Sequence, residues 1–78
     1  MKLELYYYDQ CPFCQLVLRK INSLGLNDKI IYKNTLENPE FREYHLNTTK
    51  RTTVPCLYID GNPLFESSEI CNWLEENK

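Results

Sequence analysis

Cys11 and Cys14 bracket the run Cys11-Pro12-Phe13-Cys14. Two thiols at this spacing can close into a disulfide, and each can exchange with a disulfide on another molecule. Such chemistry needs one thiol that ionises more readily than the other. The flanking pattern provides that asymmetry. Leu3 to Tyr8 reads as a strand and Gln15 to Leu24 as a helix, so the pair lies at a strand-to-helix junction. Cys11 is then the N-cap and Pro12 is N1, where the missing N–H costs nothing and the fixed φ suits the first turn. A sulfur at the N-cap faces the free N–H groups of Phe13 and Cys14, and the helix dipole adds partial positive charge. Both favour thiolate, which makes Cys11 the predicted nucleophile. Cys14 lies one turn inside the helix on the same face and is the predicted resolving thiol. Ordinary i,i+3 neighbours have Cβ atoms about 5–6 Å apart, whereas a disulfide wants about 3.5–4.5 Å. The N-cap residue is not helical, so the gap can close there with little movement of the fold.

The elements that hold this pair follow in order. Lys2 to Tyr8 is a predicted strand, with Leu3, Leu5 and Tyr7 alternating with Glu4, Tyr6 and Tyr8. Pro12 to Leu24 is the first helix, with Leu16, Val17, Ile21 and Leu24 as its core stripe and Gly25 at C′. Asn27-Asp28 reads as loop. Ile30-Ile31-Tyr32 is a second strand, and strand, helix, strand in this order makes a right-handed unit with parallel strands. Asn38, Pro39 and Glu40 start a second helix that runs to about Asn47, with Phe41, Tyr44 and Leu46 inward. His45, the one histidine, is expected on its partly exposed side rather than as a catalytic base. Thr48 to Thr53 is a polar, basic loop. Val54 to Ile59 and Asn62 to Phe65 flank Asp60-Gly61, a hairpin signal. Pro63 puts the last strand at a sheet edge. Ser67 or Ser68 is expected to cap a third helix with Ile70, Trp73 and Leu74 inward. The predicted fold is α/β, in the order βαβαββα: a four-stranded mixed sheet with helices on both faces.

Composition narrows the function classes. The 78 residues suffice for a single domain spanning 1–78, and apolar residues make up 42%. A net charge of −2 without a Lys/Arg block argues against nucleic acid as a partner. No apolar run approaches the roughly 20 residues of a membrane span. Glu4 interrupts any signal-peptide apolar core, so the expected compartment is the cytoplasm. Four cysteines raise two other possibilities. A secreted disulfide framework is usually richer in Cys and poorer in long periodic segments. A zinc site would need a second close pair, whereas Cys56 and Cys71 are far apart in sequence. Both read instead as free thiols in or near the core, and no metal is expected.

The element order, with Cys-Pro-Phe-Cys after the first strand and Thr53-Val54-Pro55 before the third, resembles the glutaredoxin branch of the thioredoxin superfamily. The resemblance spans the whole chain. It implies a thioredoxin-like fold and a cis bond at Val54-Pro55 beside the active thiol. In that arrangement the Val54 backbone stays free to pair with the cysteine of bound glutathione, as an added strand would. The run Glu66-Ser67-Ser68-Glu69-Ile70 departs from the usual glutaredoxin Gly-Gly-x-Asp-Asp type and instead looks like the Glu-Ser-x-x-Ile run of glutathione transferase N-terminal domains. Tyr7-Tyr8-Asp9-Gln10 resembles glutaredoxins of this transferase-like type, which usually carry a second, helical domain. Tyr8 stands near where many glutaredoxins have Lys. The resemblance implies a glutathione site made of Phe13, Lys50, Arg51, Val54, Pro55, Glu66, Ser67 and Ser68. The γ-glutamyl carboxylate would sit on the N-terminus of the third helix. Glu66 or Glu69 would take its ammonium, and Lys50 or Arg51 the glycyl carboxylate.

The expected activity is therefore a glutathione-dependent thiol–disulfide exchange catalysed by Cys11 and Cys14. Glutathione is cosubstrate, and no cofactor is tightly bound. The expected partners are glutathionylated or disulfide-bonded proteins, and the chain is expected to act as a monomer. Two alternatives are a thioredoxin-like reductase fed by a flavoenzyme and an iron–sulfur carrier ligated by Cys11 and glutathione. The serines and the basic loop argue against the first, and the rigid Pro12 ring argues against the second.

Overall fold

The computed structural model describes every residue from Met1 to Lys78. The elements are β1 (Leu3–Tyr7), α1 (Pro12–Ser23), a 3₁₀ turn (Asn27–Lys29), β2 (Ile30–Asn34), α2 (Pro39–Thr49), β3 (Cys56–Ile59), β4 (Asn62–Phe65) and α3 (Ser67–Glu76). The strands lie in the order β2-β1-β3-β4. β1 runs parallel to β2, with Leu5 opposite Tyr32, and antiparallel to β3, with Leu5 opposite Leu57. β4 closes the hairpin antiparallel to β3 and forms the edge that Pro63 requires. This is the expected thioredoxin-like α/β arrangement.

Local chemistry explains where the elements stop. α1 ends in a Schellman motif: Gly25 N–H reaches Asn22 O at 3.1 Å and Leu26 N–H reaches Ile21 O at 3.0 Å. Gly25 adopts φ 69°, the left-handed conformation that C′ demands. Leu26 then turns inward and is buried. Asn38 caps α2 by accepting the Glu40 N–H at 3.0 Å. Asp60 and Gly61 have φ 49° and 88°, the two positive values of a type I′ hairpin. The Asp60 carboxylate also accepts the Lys2 N–H at 2.7 Å, fastening the hairpin to the start of β1.

The alternation of β1 and β3 divides the interior in two. Leu3, Leu5, Ile30 and Leu57 face Val17, Ile21, Ile70 and Leu74 of α1 and α3. On the opposite face Tyr6, Cys56 and Tyr58 lie under α2, with Phe41, Val54 and Phe65 against them. The helices thus cover both faces.

Several expectations are corrected. Leu16 is exposed, because the inward stripe of α1 is Cys14, Val17 and Ile21, which leaves position 16 about 130° off its centre. On α2 the inward stripe is Phe41, His45 and Thr49, so Tyr44 and Leu46 are exposed and His45 is fully buried. Asn27–Lys29 is a 3₁₀ turn rather than plain loop, and α2 continues to Thr49. β3 starts at Cys56, not at Val54, because the Val54–Pro55 bond is cis and Pro55 has no N–H for a ladder. At α3 the N-cap is Glu66, with φ 72° and no side-chain cap, and Ser67 and Ser68 are the first helical residues.

Candidate active site

Cys11 is the N-cap of α1, with φ −82° and ψ 117°. Its Sγ accepts the Cys14 N–H at 3.3 Å. Of the two N–H groups expected to face the sulfur, only that of Cys14 makes this bond. A hydrogen bond donated to sulfur stabilises charge there. The loop that presents Cys11 is tied on both sides. Cys11 N–H closes a turn onto Tyr8 O at 3.4 Å. Gln15 Nε2 donates to Asp9 O at 2.7 Å, and Asn34 Nδ2 donates to the Asp9 carboxylate at 3.3 Å. Asn34 Oδ1 in turn accepts the N–H groups of Leu36 and Glu37. The end of β2 thereby helps to place the cysteine loop.

The two thiols differ in setting. Cys11 keeps 6% of its surface exposed, less than a helix-end position suggests, whereas Cys14 has none. Burial, with the neighbouring Cys11 adding to it, pushes the Cys14 thiol up to about 12. Near neutral pH Cys14 is therefore protonated. Cys56, fully buried beside Pro55, is also pushed up to about 12 by burial. Cys71 is partly buried, its Sγ 3.9 Å from Leu16 O, and burial raises it as well. All four cysteines are free.

The carbonyl of Val54 stands 4.0 Å from Cys11 Sγ. Beyond it opens a cleft of about 470 Å³ lined by Phe13, Thr53, Val54, Pro55, Glu66, Ser67 and Ser68. Six of the eight predicted binding residues thus line one cleft, which meets Cys11 through Val54. No backbone–backbone hydrogen bond involves Val54, so its N–H and C=O are available to an extended ligand. The N-terminus of α3 has no side-chain cap, and its first-turn N–H groups point out at Ser67 and Ser68. The other two predicted residues lie outside the cleft wall. Lys50 ends α2 at φ 64°, with Nζ on Asn47 O at 3.3 Å. The Arg51 guanidinium stacks over Phe65, 4.1 Å from the ring centroid. Glu69, exposed in the first turn of α3, does not line the cleft either.

Sequence reasoning missed Thr53 and the residue behind it. His45 Nε2 lies 2.7 Å from Thr53 O, and its Nδ1 lies 2.7 Å from Tyr58 Oη. A carbonyl only accepts, so Nε2 carries the proton and Nδ1 accepts from the tyrosine hydroxyl. Burial holds the imidazole below its usual pKa and keeps it neutral. The 41, 45, 49 spacing was the one available signal for its inward direction.

No curated protein matches the chain in sequence. Solved structures do. An epsilon-class glutathione S-transferase from the housefly, Musca domestica, is 29% identical over 97% of this chain, with TM-score 0.77. The isozyme E7 glutathione S-transferase of Drosophila melanogaster is 28% identical over 97%, with TM-score 0.74. Glutathione transferase Omega 3C of Trametes versicolor, 23% identical over 99% with TM-score 0.79, shares the fold. The chain spans about a third of each of these proteins: 35%, 34% and 34% of their lengths. The family described as "Glutathione S-transferase, N-terminal domain" matches residues 5–78. With that match running from the middle of β1 through α3, and so over the cysteine pair and the whole cleft, the chain belongs to the glutathione S-transferase N-terminal domain family.

Proposed function

We propose that this domain is a glutaredoxin-type oxidoreductase that uses glutathione to reduce mixed disulfides and protein disulfides in the cytoplasm, acting as a monomer. The observation that carries the reading is the position of Cys11. Its sulfur sits on the first turn of α1, 4.0 Å from the carbonyl oxygen of Val54, one of the residues that line the cleft. Glutathione would lie extended along Thr53–Val54, with its γ-glutamyl carboxylate on the N–H groups of Ser67 and Ser68. Glu66 would face its ammonium. Lys50 and Arg51 remain candidates for the glycyl end, reached by rotation of long side chains.

In the reaction the Cys11 thiolate attacks the glutathione sulfur of a mixed disulfide. The old S–S bond breaks, the substrate leaves as thiolate and takes up a proton, and Cys11 holds glutathione. A second glutathione thiolate then attacks the sulfur of that bound glutathione. Oxidised glutathione forms and Cys11 is released. Cys14 can resolve the intermediate only after losing its proton, which its burial opposes. We assign this second step to glutathione, and to Cys14 the substrates that need two thiols.

A second reading, transfer of glutathione to a carbon electrophile, is favoured by the family match. One experiment separates them. Purified protein is assayed with a glutathione mixed disulfide, glutathione and glutathione reductase, and separately with glutathione and chlorodinitrobenzene. Turnover of the disulfide with little conjugation supports exchange. Conjugation without disulfide turnover sinks the oxidoreductase reading.

A further inference from the structure

We infer that His45, buried behind the cleft and outside it, is a positioning residue that sets the Thr53–Val54 edge against which glutathione pairs; the inference rests on the glutathione reading above.

The segment Thr52–Pro55 needs an anchor. None of its four residues takes part in a backbone–backbone hydrogen bond. Thr53 and Val54 nevertheless line the cleft, and the Val54 carbonyl must keep its place near Cys11 Sγ. A segment without ladder bonds is ordinarily mobile. The 2.7 Å bond from His45 Nε2–H to Thr53 O is the one short hydrogen bond that this segment makes. It falls one residue before the carbonyl beside the nucleophile.

His45 is itself held from three sides. It is fully buried. Its ring stacks on Tyr6 of β1 at 5.3 Å and lies 5.7 Å from Phe65 of β4. Tyr58 Oη of β3 fixes the tautomer that leaves Nε2–H for Thr53. The imidazole therefore transmits the position of the rigid sheet to a segment that the sheet does not pair.

The test uses the full chain and two electrophiles on the same thiol. Iodoacetamide reports the reactivity of Cys11 alone. Oxidised glutathione reports that reactivity together with recognition of the peptide backbone. Relative to wild type, His45→Asn should slow the glutathione disulfide reaction at least tenfold, through apparent affinity rather than maximal rate, with alkylation by iodoacetamide unchanged. His45→Gln, whose Nε2 can still donate to Thr53, should recover most of the loss. Tyr58→Phe, which removes the hydroxyl that fixes the tautomer, should lower stability and move the ratio of the two rates in the same direction as His45→Asn, by less. If His45→Asn leaves that ratio unaltered, or if His45→Gln is no better than His45→Asn, the positioning role is wrong. A second measurement avoids the risk that His45→Asn does not fold. In the wild type, S-methylglutathione should shift the proton resonance of His45 Nε2–H. Shifts at Ser67 and Ser68 with no change at His45 overturn the inference while sparing glutathione binding. No shift anywhere, together with no preference for oxidised glutathione over hydroxyethyl disulfide, overturns the glutathione reading and the inference with it.

Discussion

The two faces of the sheet are built on different principles. The face under α1 and α3 is aliphatic: Leu3, Leu5, Ile30 and Leu57 against Val17, Ile21, Ile70 and Leu74. Its stability comes from area removed from water, which has no direction. The face under α2 is aromatic and polar: Tyr6, Tyr58, Phe41, Phe65 and His45, with rings 4.7–6.4 Å apart. There every buried side-chain nitrogen and oxygen has a partner, and the hydrogen bonds run in one direction, from Tyr58 to His45 to Thr53. Cys11, the proposed nucleophile, stands at the start of α1, 4.0 Å from the carbonyl oxygen of Val54. α1 contributes its thiols, and the segment after α2 contributes the backbone beside them. The contrast teaches that one face supplies stability and the other supplies shape.

The largest expected effects are on the thiols. Cys11→Ser should abolish all exchange, because a hydroxyl near neutral pH is not a comparable nucleophile, while thermal melts stay close to wild type. Cys14→Ser should keep removal of glutathione from substrates and lose reduction of insulin disulfides. Loss of both activities with circular dichroism unchanged would count against resolution by glutathione.

Truncation on the aliphatic face comes next. Ile70→Ala removes a fully buried side chain and should cost about 2–5 kcal/mol in urea unfolding. The surviving folded fraction should keep its affinity for glutathione. A change in affinity larger than the change in folded fraction would erase the distinction between the faces.

On the aromatic face, Tyr58→Phe keeps the ring but leaves His45 Nδ1 buried without a donor. The expected loss is about 1–3 kcal/mol, again read from urea unfolding. A neutral result would mean that water or a neighbouring group replaces the hydroxyl.

The smallest effect is on pH dependence. His45 has its pKa lowered in the folded state, so below the ordinary value of about 6.5 the unfolded chain binds more protons than the folded one. The stability from the neutral imidazole is complete above that pH and is lost as pH falls through it. At the other end, Cys14 and Cys56 are raised to about 12. Their contribution is complete below the free-thiol value of about 8.5 and falls as pH rises towards 12. Stability should therefore plateau between the two limits. A pH series on His45→Gln should flatten the acid limb only, and an unchanged acid limb would assign it to carboxylates.

Much of this was legible in the chain itself. The Cys-Pro-Phe-Cys run, Asn38-Pro39, Gly25 and Asp60-Gly61 each act through their nearest neighbours, and each does what its local chemistry dictates. Period-two alternation in β1 and β3 likewise determined which side chains face which helix layer. Tertiary structure alone decided the rest. Leu16 and Tyr44 look like core by composition but lie off the inward stripe, because a helix buries the face that its neighbours offer rather than every apolar residue. Ser67 and Ser68 look like caps, yet the chain enters α3 through Glu66 at positive φ, which leaves the helix N-terminus uncapped at the cleft. His45 looks like surface on a polar helix. Its burial required a hydroxyl on β3 and a carbonyl after α2 to arrive at its two nitrogens together, and no local stretch of sequence specifies that meeting.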